Sequence, residues 1–145
     1  MNTINHFDSL ASSKEREVAL HIAEAAYAAI DTKKAVNKGI SLDGNILTIN
    51  GSPYDLSEYK KIKVLGFGKA SCVAAAALEE ILEEHIDEGV VVSNNLESCK
   101  VIKTELGTHP TPTTGNVEAS EKIVRMADEA SEEDLVIVII SGGGS

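Results

Sequence analysis

The pattern of apolar and polar positions changes period several times along the chain, and each change predicts an element. Val18, Ile22, Ala25, Ala26 and Ala29 recur at helical spacing behind a capping Ser12 or Ser13, with Glu15 to Glu17 suited to the first turn. This helix is expected to fade between Ile30 and Lys38, with Gly39 as its stop. Residues 1–12 read as a loose lead-in. In residues 42–56 the turn signals Asp43-Gly44 and Asn50-Gly51 bracket strand-like Ile46 to Ile49, and Tyr54 to Leu56 pairs back, which predicts a small hairpin. A short apolar run ending at Val64 and Leu65 then enters Gly66-Phe67-Gly68-Lys69. Behind it Ala70, Val73, Ala74, Ala77, Leu78, Ile81 and Leu82 fall on one helical face, while Glu79, Glu80, Glu83 and Glu84 point mostly to water.

Val90 to Val92 is the next strand. Strand, helix and strand form a βαβ unit, so these two strands are expected to be parallel. Val101 to Glu105 is a weaker strand. Thr108-His109-Pro110-Thr111-Pro112 cannot be regular structure, because two prolines lie so close together. Ala119, Ile123, Met126, Ala127 and Ala130 mark a third helix, capped near Asn116. Leu135 to Ile140 is an unbroken, mostly β-branched run, the signature of a central parallel strand buried on both faces. The expected fold class is α/β: a Rossmann-like three-layer αβα arrangement with a mostly parallel sheet, plus the small N-terminal hairpin.

Composition narrows what such a fold does. At 145 residues the chain holds one domain with a real core, built from aliphatic residues because aromatics are only 3%. Asp and Glu number 23 against 13 Lys and Arg, for a net charge of −10, which argues against a nucleic-acid surface. Cys72 and Cys99 match no metal or CxxC spacing and read as free thiols. The first 13 residues carry no apolar core of a signal peptide, and no apolar run approaches the ~18 residues of a membrane span. The expected setting is the cytoplasm, with no membrane partner.

In a doubly wound sheet, ligands bind beyond the carboxyl ends of the strands. That rule brings together the loops after Leu65, Val92 and Ile140. Gly66, Gly68, Lys69 and Ser71 form a strand-to-helix turn that offers backbone N–H groups, a helix N-terminus and a mobile charge to an anion. Neither standard phosphate template fits. Lys63 and Ala70 break the P-loop pattern, and Ser71 replaces the last glycine of the dinucleotide fingerprint. Glycines needed only for a tight turn are the plainer reading. Ser141, Gly142, Gly143, Gly144 and Ser145 follow a buried strand and suit an anion nest, with a flexible tail as the alternative. His109 is either a surface residue of a connector or a second wall of the site. No metal-ligand set stands out.

The ordered set Gly66-Phe67-Gly68-Lys69-Ala70-Ser71, Gly89-Val90-Val91-Val92, His109-Pro110-Thr111-Pro112 with Gly115, and Asp134-Leu135-Val136 running to Ser141–Ser145 resembles the glycerate 2-kinase family, some of whose members are labelled hydroxypyruvate reductase. The resemblance implies transfer of phosphate from ATP, with Mg²⁺, to the 2-hydroxyl of D-glycerate, giving 2-phosphoglycerate. It implies that Lys69 matches the family's glycine-lysine position. Phe67 departs from the small residue more usual there. Family members are about three times as long, so residues 1–145 are expected to be a single N-terminal α/β domain of a larger two-domain kinase. They are expected to be inactive alone and open to homodimerisation through an unpaired sheet edge. The other readings are the dinucleotide-binding half of an oxidoreductase, and a non-catalytic anion-binding or assembly domain. An oxidoreductase would end its second strand with an acidic residue, where this chain has Ser93-Asn94-Asn95.

Overall fold

The computed structural model describes residues 4–142. A short helix α1 (Phe7–Leu10) leads into α2 (Lys14–Ala29) and α3 (Thr32–Gly39). The expected single helix is thus broken in two. Asp31 takes an extended conformation and its side chain accepts the Lys34 N–H at 2.9 Å, starting α3 as a new helix. Ser13 caps α2 through the Arg16 N–H, but no residue of α2 is buried. Val18 and Ile22, two of the residues that mark its apolar face, are 52% and 67% exposed.

The predicted hairpin is the core of a three-stranded antiparallel sheet, β1 (Ile40–Asp43), β2 (Ile46–Ile49) and β3 (Ser52–Asp55). The extra strand is β1. Its Ile40 faces Ile49 and its Asp43 faces Ile46. Pro53 is tolerated because β3 lies at the edge of this sheet. Leu47 at its centre is completely buried and joins the main core.

The main sheet comprises β4 (Lys61–Phe67), β5 (Glu88–Ser93), β6 (Ile102–Leu106) and β7 (Asp134–Ile140), all parallel, in the order β6-β5-β4-β7. Its connecting helices are α4 (Ser71–Leu82) and α5 (Thr114–Asp128). In chain order the strands run third, second, first, fourth, which is the reversal of direction that defines a topological switch point. The switch lies at β4. The α/β expectation is met.

Alternation along the strands shows which helix covers which face. Ile62, Val64, Val91 and Ile102 cluster with Cys72, Ala75, Leu78 and Leu82 of α4. Leu65 and Val90 are buried outside that cluster, on the face where α5 packs and buries Ala119. Gly66 sits on the α4 face within β4. A Cβ there would come within 3.1 Å of Ile139 and Val91, so its absence lets the neighbouring strands' side chains close over the backbone.

Three sequence expectations change. Leu135–Ile140 forms the unpaired edge that the sequence also suggested, but it is not buried on both faces: Val138 and Ile140 are 51% and 68% exposed, because no described strand pairs beyond β7. The buried face of α4 is rotated toward Cys72 and Ala75. That rotation takes Glu79 out of the solvated glutamate group. Its carboxylate is buried and accepts the successive N–H groups of Lys100, Val101 and Ile102, tying α4 to the start of β6. Burial by itself raises a carboxyl pKa. The three donors outweigh it here and hold Glu79 below the ordinary carboxylate range.

At the opposite end of the sheet from the loops of interest, the buried Lys63 ammonium lies 3.1 Å from Glu88 and 3.9 Å from Asp134, and donates to the Glu129 carbonyl at 3.3 Å. Such partners are what a buried charge requires. Cys72 and Cys99 are free. Burial, then the nearby charges of Glu79, Cys72 and Glu97, push the Cys99 thiol up to about 11. No helix among the described residues is long and apolar enough to cross a membrane.

Candidate anion-binding site

The cleft of interest opens at the carboxyl ends of β4, β5 and β6, beside the β4–β7 boundary where the sheet changes direction. It has a volume of about 260 Å³. Phe67, Gly68 and Lys69 form one wall, Val92, Ser93 and Asn94 the floor, and Gly107, Thr108 and His109 the other wall, with Asn116 and Ser120 of α5 behind. Two helices begin close to the cleft, α4 at Ser71 after the Gly68-Lys69 turn and α5 at Thr114 after the wall that carries His109. No Asp or Glu lines the cleft, although the chain as a whole carries −10.

The turn that carries Lys69 is fixed by its neighbours. Gly68 adopts φ +112°, a conformation that strains any residue with a Cβ, and a Cβ there would fall onto Ser141. The Lys69 N–H donates to the Gly142 carbonyl at 3.0 Å, and the Ser93 hydroxyl donates to the Lys69 carbonyl at 2.9 Å. The backbone of Lys69 is therefore gripped from both sides. Its side chain is exposed and has no ion-pair partner among the described residues. The Ala70 N–H donates to the Ser141 hydroxyl at 3.0 Å, and the Ser71 N–H to the Gly68 carbonyl at 3.2 Å. Three successive N–H groups of the turn are thus engaged within the protein. That leaves the Lys69 ammonium as what the turn offers an anion.

Each residue singled out in the sequence has a definite place. Gly68, Lys69 and His109 line the cleft together. Gly66 lies within β4 and serves packing. Ser71 is fully buried, and its hydroxyl lies 2.7 Å from the Gly68 carbonyl and 2.9 Å from that of Val92, pinning the turn to β5. Ser141 and Gly142 stand behind the turn as acceptors for its N–H groups. Gly143, Gly144 and Ser145 lie outside the described residues.

Other residues join the site that the sequence did not single out for it. Ser93 ends β5 and Asn94 follows it, in the loop after Val92 that the sequence already grouped with the site without singling out either residue. Asn116 organises the wall that carries His109. Its Oδ1 accepts the Thr108 N–H at 3.1 Å and the Thr113 N–H at 2.9 Å, and its Nδ2 donates to the Thr108 carbonyl at 3.1 Å. Thr113 and Asn116 together form the capping box of α5. The single available signal was a cap-like Asn three residues after a Thr. Among the described residues no group of three His, Cys, Asp or Glu is placed to hold a metal ion.

Comparison with known proteins adds a family to this geometry. A glycerate 2-kinase of Pyrococcus horikoshii is 31% identical over 135 residues, which cover 90% of this chain and 29% of that protein. A glycerate kinase of Danio rerio is 29% identical over 140 residues, covering 86% of this chain and 28% of that protein. The crystal structure of the PH0495 protein from Pyrococcus horikoshii superposes with a TM-score of 0.75 at 29% identity, over 92% of this chain and 30% of that one. The chain thus spans less than a third of the length of the relatives it matches. Residues 18–145 match the family described as the domain of unknown function DUF4147, and the chain belongs to that family.

Proposed function

We propose that this chain forms the N-terminal part of a glycerate 2-kinase and supplies one anion-binding wall of its active site. The reaction is transfer of the terminal phosphoryl group of ATP to the 2-hydroxyl of D-glycerate, giving ADP and 2-phosphoglycerate. The observation that carries this reading is Lys69: a cation fixed at its backbone, with no ion-pair partner among the described residues, in a cleft whose described lining has no carboxylate. Phosphoryl transfer depends on positioning and on cations that offset the charge of the transferred group, and a lysine held this way meets both needs. His109, on the same lining, would be a further donor to an oxyanion, whereas the Ser93 hydroxyl and the Thr108 N–H and hydroxyl are committed within the protein.

Phosphates of ATP or the carboxylate of glycerate fit this donor set. A magnesium ion does not, because it is held by carboxylates and phosphates and none of the lining residues is acidic. A metal-holding residue would have to come from elsewhere in a longer polypeptide. A reducing, cytoplasmic setting belongs to the same reading and is supported by the two free cysteines.

Thermal-shift titration with phosphate, ATP, D-glycerate and NADH tests it. Stabilisation by phosphate, ATP or glycerate that disappears in Lys69→Met, with the unliganded melting temperature unchanged, is the expected result. Stabilisation by NADH alone would overturn it in favour of a dinucleotide-binding oxidoreductase domain. No response to any ligand would favour an assembly domain.

A further inference from the structure

The wall that carries His109 is held by one side chain. Asn116 Oδ1 accepts the Thr108 N–H at 3.1 Å, and Asn116 Nδ2 donates to the Thr108 carbonyl at 3.1 Å. These partners identify the two ends of the amide, since a backbone N–H needs the oxygen and a carbonyl needs the nitrogen. The Thr108 carbonyl belongs to the planar peptide that joins Thr108 to His109. Gripping Thr108 at both its N–H and its carbonyl therefore orients the backbone from which the His109 side chain departs.

Capping does not account for this grip. The capping box of α5 needs Asn116 only for the Thr113 N–H, which its Oδ1 accepts at 2.9 Å. Thr108 lies outside that box, eight residues before Asn116. The backbone makes room for the contact at Gly107, which is buried. A Cβ there would come within 3.0 Å of Asn116 Nδ2 and 3.1 Å of a Val92 methyl.

A second run of hydrogen bonds joins this wall to the one opposite. The Gly107 N–H donates to the Ser93 carbonyl at 2.8 Å, and the Ser93 hydroxyl donates to the Lys69 carbonyl at 2.9 Å. Ser93 is buried and ties both walls to the end of β5. Lys69 and His109 thus leave fixed backbone on opposite sides of one cleft.

We propose that Asn116 is a positioning residue, which sets His109 across the cleft from Lys69 so that a compact oxyanion is gripped from two walls at once. This inference rests on the anion-binding reading of the cleft. Asn116 touches the anion's donor and not the anion. It lowers the cost of ordering the His109 wall when the anion binds, so its contribution to affinity passes through His109.

Calorimetric titration with inorganic phosphate tests it, on the wild-type chain, His109→Ala, Asn116→Ala, the double variant and Lys69→Met. Each of the first two single changes should weaken binding roughly tenfold, the scale of one hydrogen bond to a charged group. The double variant should match His109→Ala to within about twofold, because the two residues act as one unit. A role confined to folding the loop would lower the melting temperature without producing this non-additivity. In the wild type, the Thr108 amide should be protected from hydrogen exchange with or without phosphate. Lys69-dependent binding that Asn116→Ala leaves unchanged, or weakens equally with and without His109, would overturn the positioning role and leave the anion site standing. A wild type that binds no phosphate would overturn both. A Thr108 amide that exchanges freely in the wild type would overturn the positioning role even where Asn116→Ala folds poorly.

Discussion

Lys69 works as a fixed base with a free tip. Its N–H and carbonyl are both committed, to Gly142 and from Ser93, while its ammonium has no described ion-pair partner. A cation held this way loses little entropy on binding, because only the side chain remains to be ordered. Ser93→Ala removes one of the two grips. The Lys69 carbonyl then loses its hydrogen bond at a cost of about 1 kcal/mol. Phosphate affinity should fall several-fold in a thermal-shift titration, without the complete loss expected from Lys69→Met. Affinity equal to wild type would show that the grip is not what positions the ammonium. Gly68 is the other residue on which the turn depends. At φ +112°, with Ser141 where a Cβ would go, Gly68→Ala should destabilise the fold by roughly 2 kcal/mol or more, read from urea unfolding.

Among the elements, α4 is clasped at its far end by Glu79. Removing the carboxylate in Glu79→Ala leaves the N–H groups of Lys100, Val101 and Ile102 without their acceptor, at a cost of about 3 kcal/mol. The pH dependence follows from the direction of the shift. A carboxyl whose folded pKa lies below its unfolded value binds fewer protons when folded. Its contribution is complete above the ordinary carboxylate range and is lost as pH falls through the lower folded value. Urea midpoints measured down an acid series should fall more steeply for wild type than for Glu79→Gln. Parallel curves would remove Glu79 from the acid limb.

The same scale shows what the sequence could express. The β4-α4-β5 unit was legible because apolar spacing there switches cleanly from strand to helix and back across glycine turns. Strand β1 was not, because Ile40 follows a glycine that reads equally well as a helix stop. Glu79 was misassigned because helical spacing specifies a face only to within a turn, and the three N–H groups that claim it lie more than twenty residues away, at Lys100 and Val101 just before β6 and at its first residue Ile102. Within the cleft, Gly68 and Lys69 stood out by their own local pattern, and His109 was a weaker candidate beside its prolines. Ser93 and Asn116 did not stand out, since their roles arise from neighbours that only strand order and loop folding supply.

For the whole molecule, charge is distributed unevenly. A chain of net −10 leaves the space beyond β4, β5 and β6 free of carboxylates among its described lining. Elsewhere, acidic residues cluster on the outer side of α4 and at the start of β7. The molecule therefore repels anions generally, and under the proposed reading this cleft is the one place that would accept one. Acceptance is not turnover. The lining holds no acidic group to serve as base or metal ligand, and the relatives that share this fold are more than three times as long. Incubating the 145-residue chain with ATP, Mg²⁺ and D-glycerate should yield no 2-phosphoglycerate by coupled assay, even under conditions where phosphate binding is saturated. Measurable product would place the whole catalytic apparatus within this chain.

The pairing of β4 with β7 joins positions more than seventy residues apart, Lys61 with Asp134 and Phe67 with Ile140. During synthesis Lys69 leaves the ribosome long before Ser141 and Gly142, the acceptors that hold its turn. Until β7 docks, Gly68 has no reason to keep its unusual conformation and the lysine is attached to slack backbone. Closing so long a loop is slow compared with forming α4 or the β1-β2-β3 sheet. The Gly68-Lys69 turn is therefore set only once β7 has docked, and under the proposed reading chains that have not yet added β7 should not bind phosphate.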